Sequence, residues 1–221
     1  PDEGVLRRMT DVLAHRGPDG DGVWTAPGVG FGHRRLAIID LSDRAAQPMV
    51  SADGKYAITY NGEIYNYREL REDLVREGAT FRSESDTEVA LEAYRRYGAD
   101  CVGRFRGMFA FAIWDADAKR CFIARDKSGK KPLYYRTLPD GSVAFASEMK
   151  ALRPLGPVTV DDCALRLFIG LQYVPAPQTG LNEIRGLPAG HRGFIDENGV
   201  HVESYCRWEC EPVEETGDVT K

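Results

Sequence analysis

Residues 107–114 read Gly107-Met108-Phe109-Ala110-Phe111-Ala112-Ile113-Trp114, and every residue after the glycine is apolar. Side chains alternate between the two faces of a β-strand, so a strand of this composition has to be covered on both faces. Residues 115–120 are polar enough to reverse the chain, and residues 121–125 then predict a hairpin partner. We therefore expect a central sheet that lies between other layers.

Helical and strand patterns surround this central strand. Apolar residues at helical spacing predict helices at residues 6–13, 67–75, 89–97 and 161–170, with Gly78 and Gly98 as stops of the second and third. Further strands are predicted at residues 35–41, 56–61, 132–135, 143–146, 191–195 and 200–205. Doubly covered strands mixed with helices predict an α+β layered fold.

Local signals also predict helix caps and loops. Asn66 with Glu69, and Ser85 with Glu88, have the spacing of a capping box. Residues 15–22 hold three glycines and a proline, and residues 173–179 are interrupted by prolines, so both are predicted to be irregular. The buried stripe of the second helix is predicted to contain Tyr67, Leu70, Leu74 and Val75.

The composition limits the classes of function. The 221 residues carry 29 basic and 34 acidic side chains, for a net charge of −5, and show no basic patch, which disfavours nucleic acid as a partner. No apolar run approaches the roughly 18 residues of a membrane helix, and the first residues lack the apolar core of a signal peptide. These features predict a cytoplasmic protein without a membrane partner.

The cysteines and acidic residues do not predict a metal site. Five cysteines at scattered positions do not form a disulfide framework. Cys206 and Cys210 are the only close pair, and a zinc site would need a second pair nearby. The aspartates of residues 15–22 lack the spacing of a calcium loop. Ordinary reduced cysteines and no metal are the better interpretation.

A series of motifs in a fixed order resembles a known family. The motifs are His15-Arg16-Gly17-Pro18-Asp19-Gly20, residues 32–40 (GHRRLAIID), Gln47-Pro48-Met49, Tyr60-Asn61-Gly62-Glu63-Ile64-Tyr65-Asn66, Ser85-Asp86-Thr87-Glu88, residues 107–112, Ala124-Arg125-Asp126, Phe145-Ala146-Ser147-Glu148 and Tyr173-Val174-Pro175-Ala176-Pro177. Together they resemble the glutaminase domain of glutamine-hydrolysing asparagine synthetases, which are class II glutamine amidotransferases. The resemblance covers residues 6–205.

The resemblance implies a fold and a chemistry. The fold would be that of N-terminal nucleophile hydrolases, a four-layer αββα sandwich of antiparallel sheets. In such enzymes an N-terminal cysteine attacks the side-chain amide of glutamine and its own α-amino group acts as the base. Ammonia then passes to a synthetase domain that uses ATP and Mg²⁺ to amidate aspartate or a related acid. Residues 1–205 would be the glutaminase domain, shortened at its N-terminus, and residues 206–221 a linker to that second domain.

The resemblance also implies three anchors for the α-amino acid end of glutamine. Arg35 would clamp the α-carboxylate, because a guanidinium fork matches a carboxylate. Glu63 and Asp86 would hold the α-ammonium group. Each has a simpler alternative: Arg35 could form a surface ion pair, Glu63 could be an ordinary charge after a turn, and Asp86 could be the first-turn carboxylate of a helix.

The remaining implied roles concern the reacting amide. The side-chain amide of Asn61 and the backbone N–H of Gly62 would form the oxyanion hole, whereas Leu36 and Ile39 would line the pocket through their backbone. Asn-Gly is also a strong signal for a hairpin turn. We expect both, with turn geometry aiming the two donors. His15 and Arg16 would lie in a loop near the nucleophile, where a structural role for His15 is favoured.

The sequence also departs from the family pattern. It begins at Pro1 without the N-terminal cysteine, so we expect this chain by itself to be inactive and to leave strand edges unpaired where the missing strand would lie. Residues 127–130 (KSGK) put Ser128 and Lys130 where the family has apolar residues.

Glutamine and a C-terminal synthetase domain are the expected partners, with a homodimer left open and no cofactor in this domain itself. An alternative hypothesis is a nucleophile-free assembly domain of an asparagine synthetase or β-lactam synthetase-like relative. A third keeps the glutaminase and changes the acceptor of ammonia.

Overall fold

The computed structural model describes residues 1–207, and all of the predicted linker over residues 206–221 except its first two residues lies outside them. The helices are α1 (Glu3–Asp11), α2 (Tyr67–Arg76), α3 (Asp86–Tyr97), α4 (Cys101–Arg104) and α5 (Asp162–Leu171). The strands are β1 (Gly20–Ala26), β2 (Val29–Arg35), β3 (Met49–Val50), β4 (Tyr56–Ile64), β5 (Gly107–Asp115), β6 (Arg120–Arg125), β7 (Tyr134–Thr137), β8 (Val143–Ala146), β9 (Arg185–Gly186), β10 (His191–Asp196) and β11 (Gly199–Ser204).

A six-stranded antiparallel sheet forms the centre of the molecule, in the order β11-β10-β6-β5-β4-β3. The strand β5 lies inside it and pairs with β4 on one side and β6 on the other, so that Ile113 faces Ile58 and Phe122. Residues 109–113 are buried on both faces of the sheet. The sequence-based prediction of a doubly covered strand with a hairpin partner is therefore confirmed.

Each face of this sheet has its own apolar core. On one face Phe109, Phe111 and Phe122 pack with Leu74 and Val89 of α2 and α3. On the other face the smaller side chains of β5, Ala110 and Ala112, pack under a second strand layer that contributes Phe31 and Leu133. The alternation of large and small residues along β5 thus fits a helix layer on one side and a sheet layer on the other.

The second strand layer is itself covered by helical structure. Met9 and Leu13 at α1 pack with Ala151 and Leu152 of the 3₁₀ segment Met149–Leu155. The helix α1 contacts β1, β2 and that segment. The order of layers is therefore helix, sheet, sheet, helix, as the α+β sandwich prediction requires.

The second strand layer is divided by a gap. One part is the hairpin β1–β2, and the other is the sheet β8-β7-β9. The edge strands β2 and β8 both line the same cleft, and across it the rings of Phe31 and Phe145 meet edge-on with centroids 5.7 Å apart. Among residues 1–207, β2 pairs only with β1 and β8 only with β7, so each has one edge without a strand partner.

One strand was predicted too late in the chain. The predicted strand over residues 35–41 is wrong, because β2 ends at Arg35 and residues 36–41 are irregular. The guanidinium of Arg35 donates to the carbonyl oxygens of Asp40 (2.6 Å) and Ser42 (2.9 Å), so the segment curls around this side chain. The apolar side chains of Leu36 and Ile38 are exposed and give no sheet face.

The glycine-rich segment 15–22 is only partly irregular, which also differs from the prediction. Residues Ala14–Arg16 form a 3₁₀ turn, and β1 begins at Gly20, which pairs with Arg35 of β2. Glycine is required at position 22 because a Cβ atom there would lie 2.2 Å from the carbonyl oxygen of Gln47. Close backbone packing, and not chain flexibility, explains this glycine.

Asn61 and Gly62 are not a turn. They lie within β4, which pairs with β5 over all nine of its residues, and the chain turns only at Tyr65 and Asn66. The cross-strand pairing outweighs the local preference of Asn-Gly for a hairpin turn. The expectation that a turn aims these two residues is wrong; a strand does so.

The two predicted capping boxes are also wrong in detail. The side chain of Asn66 does not cap α2. Its amide group instead donates to the carbonyl oxygen of Arg104, and its oxygen accepts from the N–H of Arg106. Ser85 does cap α3, but Glu88 bonds the backbone N–H groups of residues 82 and 83. On α2, Leu70 and Leu74 are buried, whereas Val75 is 52% exposed.

The other predicted elements match with small shifts. The strand predicted at 132–135 begins two residues later as β7, whereas β8, β10, β11 and α5 lie close to their predicted bounds. Residues 173–179 contain no helix or strand, as the prolines predict. Between residues 1 and 207 no helix is long and apolar enough to cross a membrane.

Candidate active site

The gap between β2 and β8 opens into a cleft of about 1690 Å³. Its floor includes Thr59 and Asn61 of β4 and Ala110 and Ala112 of β5. All seven residues that the sequence singled out line this cleft: Arg35, Leu36, Ile39, Asn61, Gly62, Glu63 and Asp86. The fold therefore brings together residues that lie up to 51 positions apart, from Arg35 to Asp86.

Asn61 presents its side chain to the cleft because of the alternation along β4. Ile58, Tyr60 and Ile64 belong to the core under the helices, so the intervening residues face the opposite way. The side-chain amide of Asn61 lies 3.5 Å from the hydroxyl of Ser147, at the outer limit of a hydrogen bond. This weakly held N–H donor is available to a ligand in the cleft.

Gly62, the next residue of β4, also lines the cleft, and its backbone N–H group is a second donor. The N–H and C=O groups of Phe109, its partner on β5, both bond Asp126, so they point away from β4. In an antiparallel ladder the residue opposite then directs its own N–H away from β5. No acceptor within residues 1–207 takes the Gly62 N–H.

The neighbouring N–H groups that point the same way do have acceptors. The N–H of Tyr60 is bonded by Gln47 (2.7 Å) and that of Ile64 by Asp86 (2.9 Å). Gly62 thus lies between two satisfied donors as a free one. Its lack of a side chain is also required, because a Cβ atom would lie 2.3 Å from the carbonyl oxygen of Met108.

Two carboxylates lie near each other on the wall of the cleft. Asp86, at the start of α3, is buried and accepts hydrogen bonds from the hydroxyl of Tyr60 and the N–H of Ile64, both at 2.9 Å. Burial raises the pKa of Asp86 and the nearby Glu63 adds to this, whereas the two hydrogen bonds oppose it. A bound cation would offset both the burial of Asp86 and the charge of Glu63, so the two carboxylates suit an ammonium group.

Arg35 lies at the end of β2 and is half-buried. Its two hydrogen bonds to the carbonyl oxygens of residues 40 and 42 both use Nη2. A guanidinium has five N–H groups in a fixed plane, so the remaining donors can still meet a carboxylate. The structure thus contains a fixed cation and two carboxylates along the wall of the same cleft.

His33 is a residue that sequence reasoning missed. It lines the cleft beside Arg35, and its Nδ1 lies 3.3 Å from the hydroxyl of Thr59. Burial, together with the charge of Arg35, lowers its pKa to about 4. His33 is therefore neutral near pH 7. No sequence spacing indicated this, because Thr59 is 26 residues away.

The pKa of His33 leads to a prediction about stability. An unfolded histidine takes up a proton near pH 6.5, so between pH 6.5 and 4 the unfolded chain binds more protons at this residue than the folded one. Its neutral burial therefore destabilises the fold progressively as the pH falls through that window. We expect the free energy of unfolding to decline less steeply from pH 6.5 to 4 in His33→Gln, measured by urea denaturation. An identical pH profile in the variant would contradict this assignment.

The loop that contains His15 and Arg16 is tied to the cleft rim. Both side chains lie 2.9 Å from Oε1 of Glu148, and Lys150 lies 3.1 Å from its other oxygen. Burial alone would raise the pKa of Glu148, but hydrogen bonds from Arg16, His15 and Lys150 outweigh it and lower the pKa to about 2. Because Glu148 follows Ser147, this cluster fixes the rim opposite Asn61.

The described cysteines do not supply a nucleophile to this cleft. Cys101 does not line the cleft, and Cys121, which does, is buried in the core; burial raises the pKa of both thiols. Cys163 and Cys206 do not line the cleft. Cys210 lies outside the described residues. Within residues 1–207, no three His, Cys, Asp or Glu side chains form a group that could hold a metal ion.

The loop that departs from the family pattern is organised around one buried carboxylate. Asp126 is fully buried and accepts from the N–H groups of Phe109, Ser128, Lys130 and Lys131, and from the Ser128 hydroxyl, at 3.0–3.2 Å. The neighbouring Arg125 donates to three backbone carbonyl groups. Ser128 therefore stabilises the loop through its hydrogen bonds to Asp126.

Comparisons with known proteins agree with this architecture. The sequence model of the glutamine amidotransferase domain family matches residues 1–206. Asparagine synthetase [glutamine-hydrolyzing] 1 of Bacillus subtilis is 41% identical over 218 residues, which are 98% of this chain and 34% of that protein. A putative asparagine synthetase [glutamine-hydrolyzing] of Mycobacterium tuberculosis is 40% identical over 201 residues, which are 84% of this chain and 30% of that protein.

A solved structure shows the same fold. The glutamine phosphoribosylpyrophosphate amidotransferase of Bacillus subtilis, in complex with ADP and GMP, superposes with a TM-score of 0.68 over 92% of this chain and 46% of that one, at 21% identity. The chain spans about a third of the length of the asparagine synthetases it matches. It therefore belongs to the class II glutamine amidotransferases, with the α+β fold of N-terminal nucleophile hydrolases, and its relatives include glutamine-hydrolysing asparagine synthetases.

Proposed function

We propose that the cleft binds glutamine and that the domain releases ammonia from its side-chain amide. The observation that carries this proposal is the placement of Asn61 and Gly62. These two consecutive residues line the cleft and offer N–H donors without a firm acceptor among residues 1–207, and the charged groups that suit an α-amino acid line the same cleft. Preorganised donors of this kind stabilise the oxyanion that forms when an amide is attacked.

The charged groups of the cleft would orient the substrate. Arg35 binds the α-carboxylate, and Glu63 with Asp86 binds the α-ammonium group, which lowers the pKa of Asp86 from its raised value. Leu36 and Ile39 line the pocket through their backbone. The amide end of glutamine then extends toward Asn61. This arrangement discriminates glutamine from molecules that lack either charge.

The nucleophile of the reaction is a thiol outside the described cysteines. The attacking sulfur would form a thioester with the glutamyl group as the C–N bond of the amide breaks, and the leaving –NH2 group would take up the thiol proton and depart as ammonia. Water would then release glutamate and restore the thiol. A strand that carries an N-terminal cysteine would pair between the edges of β2 and β8, above Asn61.

The ammonia would serve a synthetase domain like that of the longer relatives. We propose that this partner amidates aspartate or a related acid, and that ATP and Mg²⁺ belong to it and not to the present chain. The similarity to asparagine synthetases over nearly the whole chain supports aspartate as the acceptor.

Release of glutamate and ammonia from L-glutamine tests the proposal. We expect hydrolysis only in a form that carries an N-terminal cysteine on a segment ahead of Pro1, with hydroxylamine trapping the glutamyl thioester as a hydroxamate. The same form with serine at that position is the matched control. Hydrolysis by the 221-residue chain alone would contradict the nucleophile assignment. No hydrolysis in any form would contradict a glutaminase and favour an assembly role.

Arg35 gives a prediction about substrate affinity. We expect Arg35→Ala to raise KM for glutamine roughly 10- to 100-fold with a smaller change in kcat, because a charge-assisted hydrogen bond contributes about 1.5–3 kcal/mol. The control is Arg44→Ala, which removes an exposed guanidinium from the neighbouring segment. Steady-state kinetics of glutamate release measure both constants. An unchanged KM in Arg35→Ala would exclude the carboxylate clamp.

A further inference from the structure

The two oxygens of the Asp86 carboxylate have different surroundings. The hydroxyl of Tyr60 and the backbone N–H of Ile64, both of β4, donate to the same oxygen, Oδ2, at 2.9 Å. Neither donor uses Oδ1. A carboxylate oxygen accepts about two hydrogen bonds, so these two donors fill Oδ2. Because Asp86 lines the cleft, Oδ1 is the oxygen that is left for a cation bound there.

The hydroxyl of Tyr60 belongs to a side chain that otherwise packs in the core under the helices. Tyr60 is 4% exposed, and its ring centroid lies 6.4 Å from that of Phe111. A phenylalanine would fill this space without an O–H group that needs a partner when buried. Burial and the charge of Asp86 raise the pKa of Tyr60 well above its ordinary value, so the hydroxyl keeps its proton and donates it to Asp86.

A second link between β4 and α3 fixes the contact between Tyr60 and Asp86. The side chain of Gln47 accepts from the backbone N–H of Tyr60 at 2.7 Å and donates to the hydroxyl of Thr87, the residue after Asp86, at 3.3 Å. Ser85 caps this end of α3 by accepting from the N–H of Thr87 at 3.0 Å. The strand and the first turn of the helix are thus joined at two points, which holds the carboxylate against the Tyr60 hydroxyl.

We propose that Tyr60 is a positioning residue for glutamine binding, whose hydroxyl holds Oδ2 of Asp86 so that Oδ1 meets the α-ammonium group of the substrate. The inference rests on the proposed function, since it concerns how that substrate is bound. Tyr60 acts through Asp86 and not through a contact of its own with glutamine. Its donation also favours the ionised carboxylate, against the effects of burial and of Glu63. An ammonium group binds more tightly to the ionised carboxylate than to the protonated one.

This role of Tyr60 gives the affinity for glutamine a pH dependence of defined sign. The titratable groups that act on Asp86 are Tyr60 and Glu63 of β4, and Tyr65, directly after that strand, acts on Tyr60. The affinity should fall as the pH drops through the pKa of Asp86, which burial raises above its ordinary value. In Tyr60→Phe an opposing hydrogen bond is lost. The pKa of Asp86 then rises further, and the fall in affinity begins at a higher pH.

Calorimetric titration of the 221-residue chain with L-glutamine between about pH 5 and 8 tests the inference. We expect Tyr60→Phe to bind glutamine about tenfold more weakly than the unaltered chain near pH 6, with a smaller loss near pH 8. The matched control is Tyr94→Phe. Tyr94 is also 4% exposed in the same core, its hydroxyl lies near Arg120, and it does not line the cleft. Tyr94→Phe should bind glutamine like the unaltered chain at every pH.

Carbon-13 NMR gives a readout that needs no substrate. The carboxyl signal of Asp86 should titrate at a higher pH in Tyr60→Phe than in Tyr94→Phe. In the unaltered chain, which needs no variant to fold, the Cζ signal of Tyr60 should move at the same midpoint, because the two groups share a hydrogen bond. Equal Asp86 midpoints in the two variants, separate midpoints for Tyr60 and Asp86, or an unchanged pH profile of glutamine affinity in Tyr60→Phe would overturn the inference alone. Absence of glutamine binding by the unaltered chain at every pH would overturn it together with the proposed function.

Discussion

Replacing Asn61 by alanine should lower kcat for glutamine hydrolysis by roughly 10²- to 10³-fold, in the form of the protein that carries the nucleophile. The side-chain amide of Asn61 faces the cleft and, within the described part of the chain, is held by a single 3.5 Å contact to Ser147. Its donation would strengthen as negative charge develops on the amide oxygen of the substrate. Because this interaction forms mainly in the transition state, KM should change much less than kcat.

Two control variants accompany Asn61→Ala. Asn198→Ala removes an amide from the exposed turn between β10 and β11, where no effect on kcat is expected. Ser147→Ala removes the partner that the Asn61 amide has among residues 1–207 and should leave most of the activity. Steady-state kinetics of glutamate release measure all three variants. Wild-type kcat in Asn61→Ala would eliminate its role in the oxyanion hole.

Replacing Asp126 by alanine should lower the free energy of unfolding by about 3–5 kcal/mol. Five hydrogen-bond donors converge on this fully buried carboxylate, and four of them are backbone N–H groups. In the alanine variant these donors would remain buried without an acceptor, which is more costly than the loss of the bonds themselves. The loop over residues 127–131 and the end of β6 would lose their common anchor.

Urea denaturation measures the effect of Asp126→Ala as a shift in midpoint at unchanged m-value. Asp140→Ala is the matched control, since this exposed aspartate also accepts from a nearby backbone N–H and hydroxyl, those of Ser142. We expect Asp140→Ala to have no measurable effect. Equal midpoints for the two variants would contradict the anchoring role of Asp126.

Strand β5 and its layers were predictable from sequence because the signal is long and independent of context. Seven consecutive apolar residues leave a strand no exposed face, whichever elements cover it. Local turn chemistry was a weaker guide at Asn61 and Gly62, where nine pairs with β5 override it. Residues 36–41 do not form the predicted strand, because contacts with a neighbouring side chain set the path of their backbone. Their apolar side chains follow an arginine around which the backbone curls, so apolar character there does not indicate a sheet.

The candidate site was also predictable only in part: its residues could be found from the sequence, but the contacts between them could not. Its seven residues came from ordered motifs in the sequence, and all of them line one cleft. The contacts that set their environment could not be found in this way, because they join distant positions. Asn61 meets Ser147 across 86 residues, and His33 meets Thr59 across 26. Pairing of strands and the packing of two layers create these contacts, and no local pattern records them.

Calorimetric titration with L-glutamine tests most directly whether the cleft is a glutamine site. The 221-residue chain suits this measurement because we expect it not to consume the ligand. We predict saturable heat with L-glutamine, none with D-glutamine, and a much weaker response in Arg35→Ala than in Arg44→Ala. Absence of binding up to the solubility limit of L-glutamine, or equal binding by Arg35→Ala, would contradict glutamine recognition by this cleft.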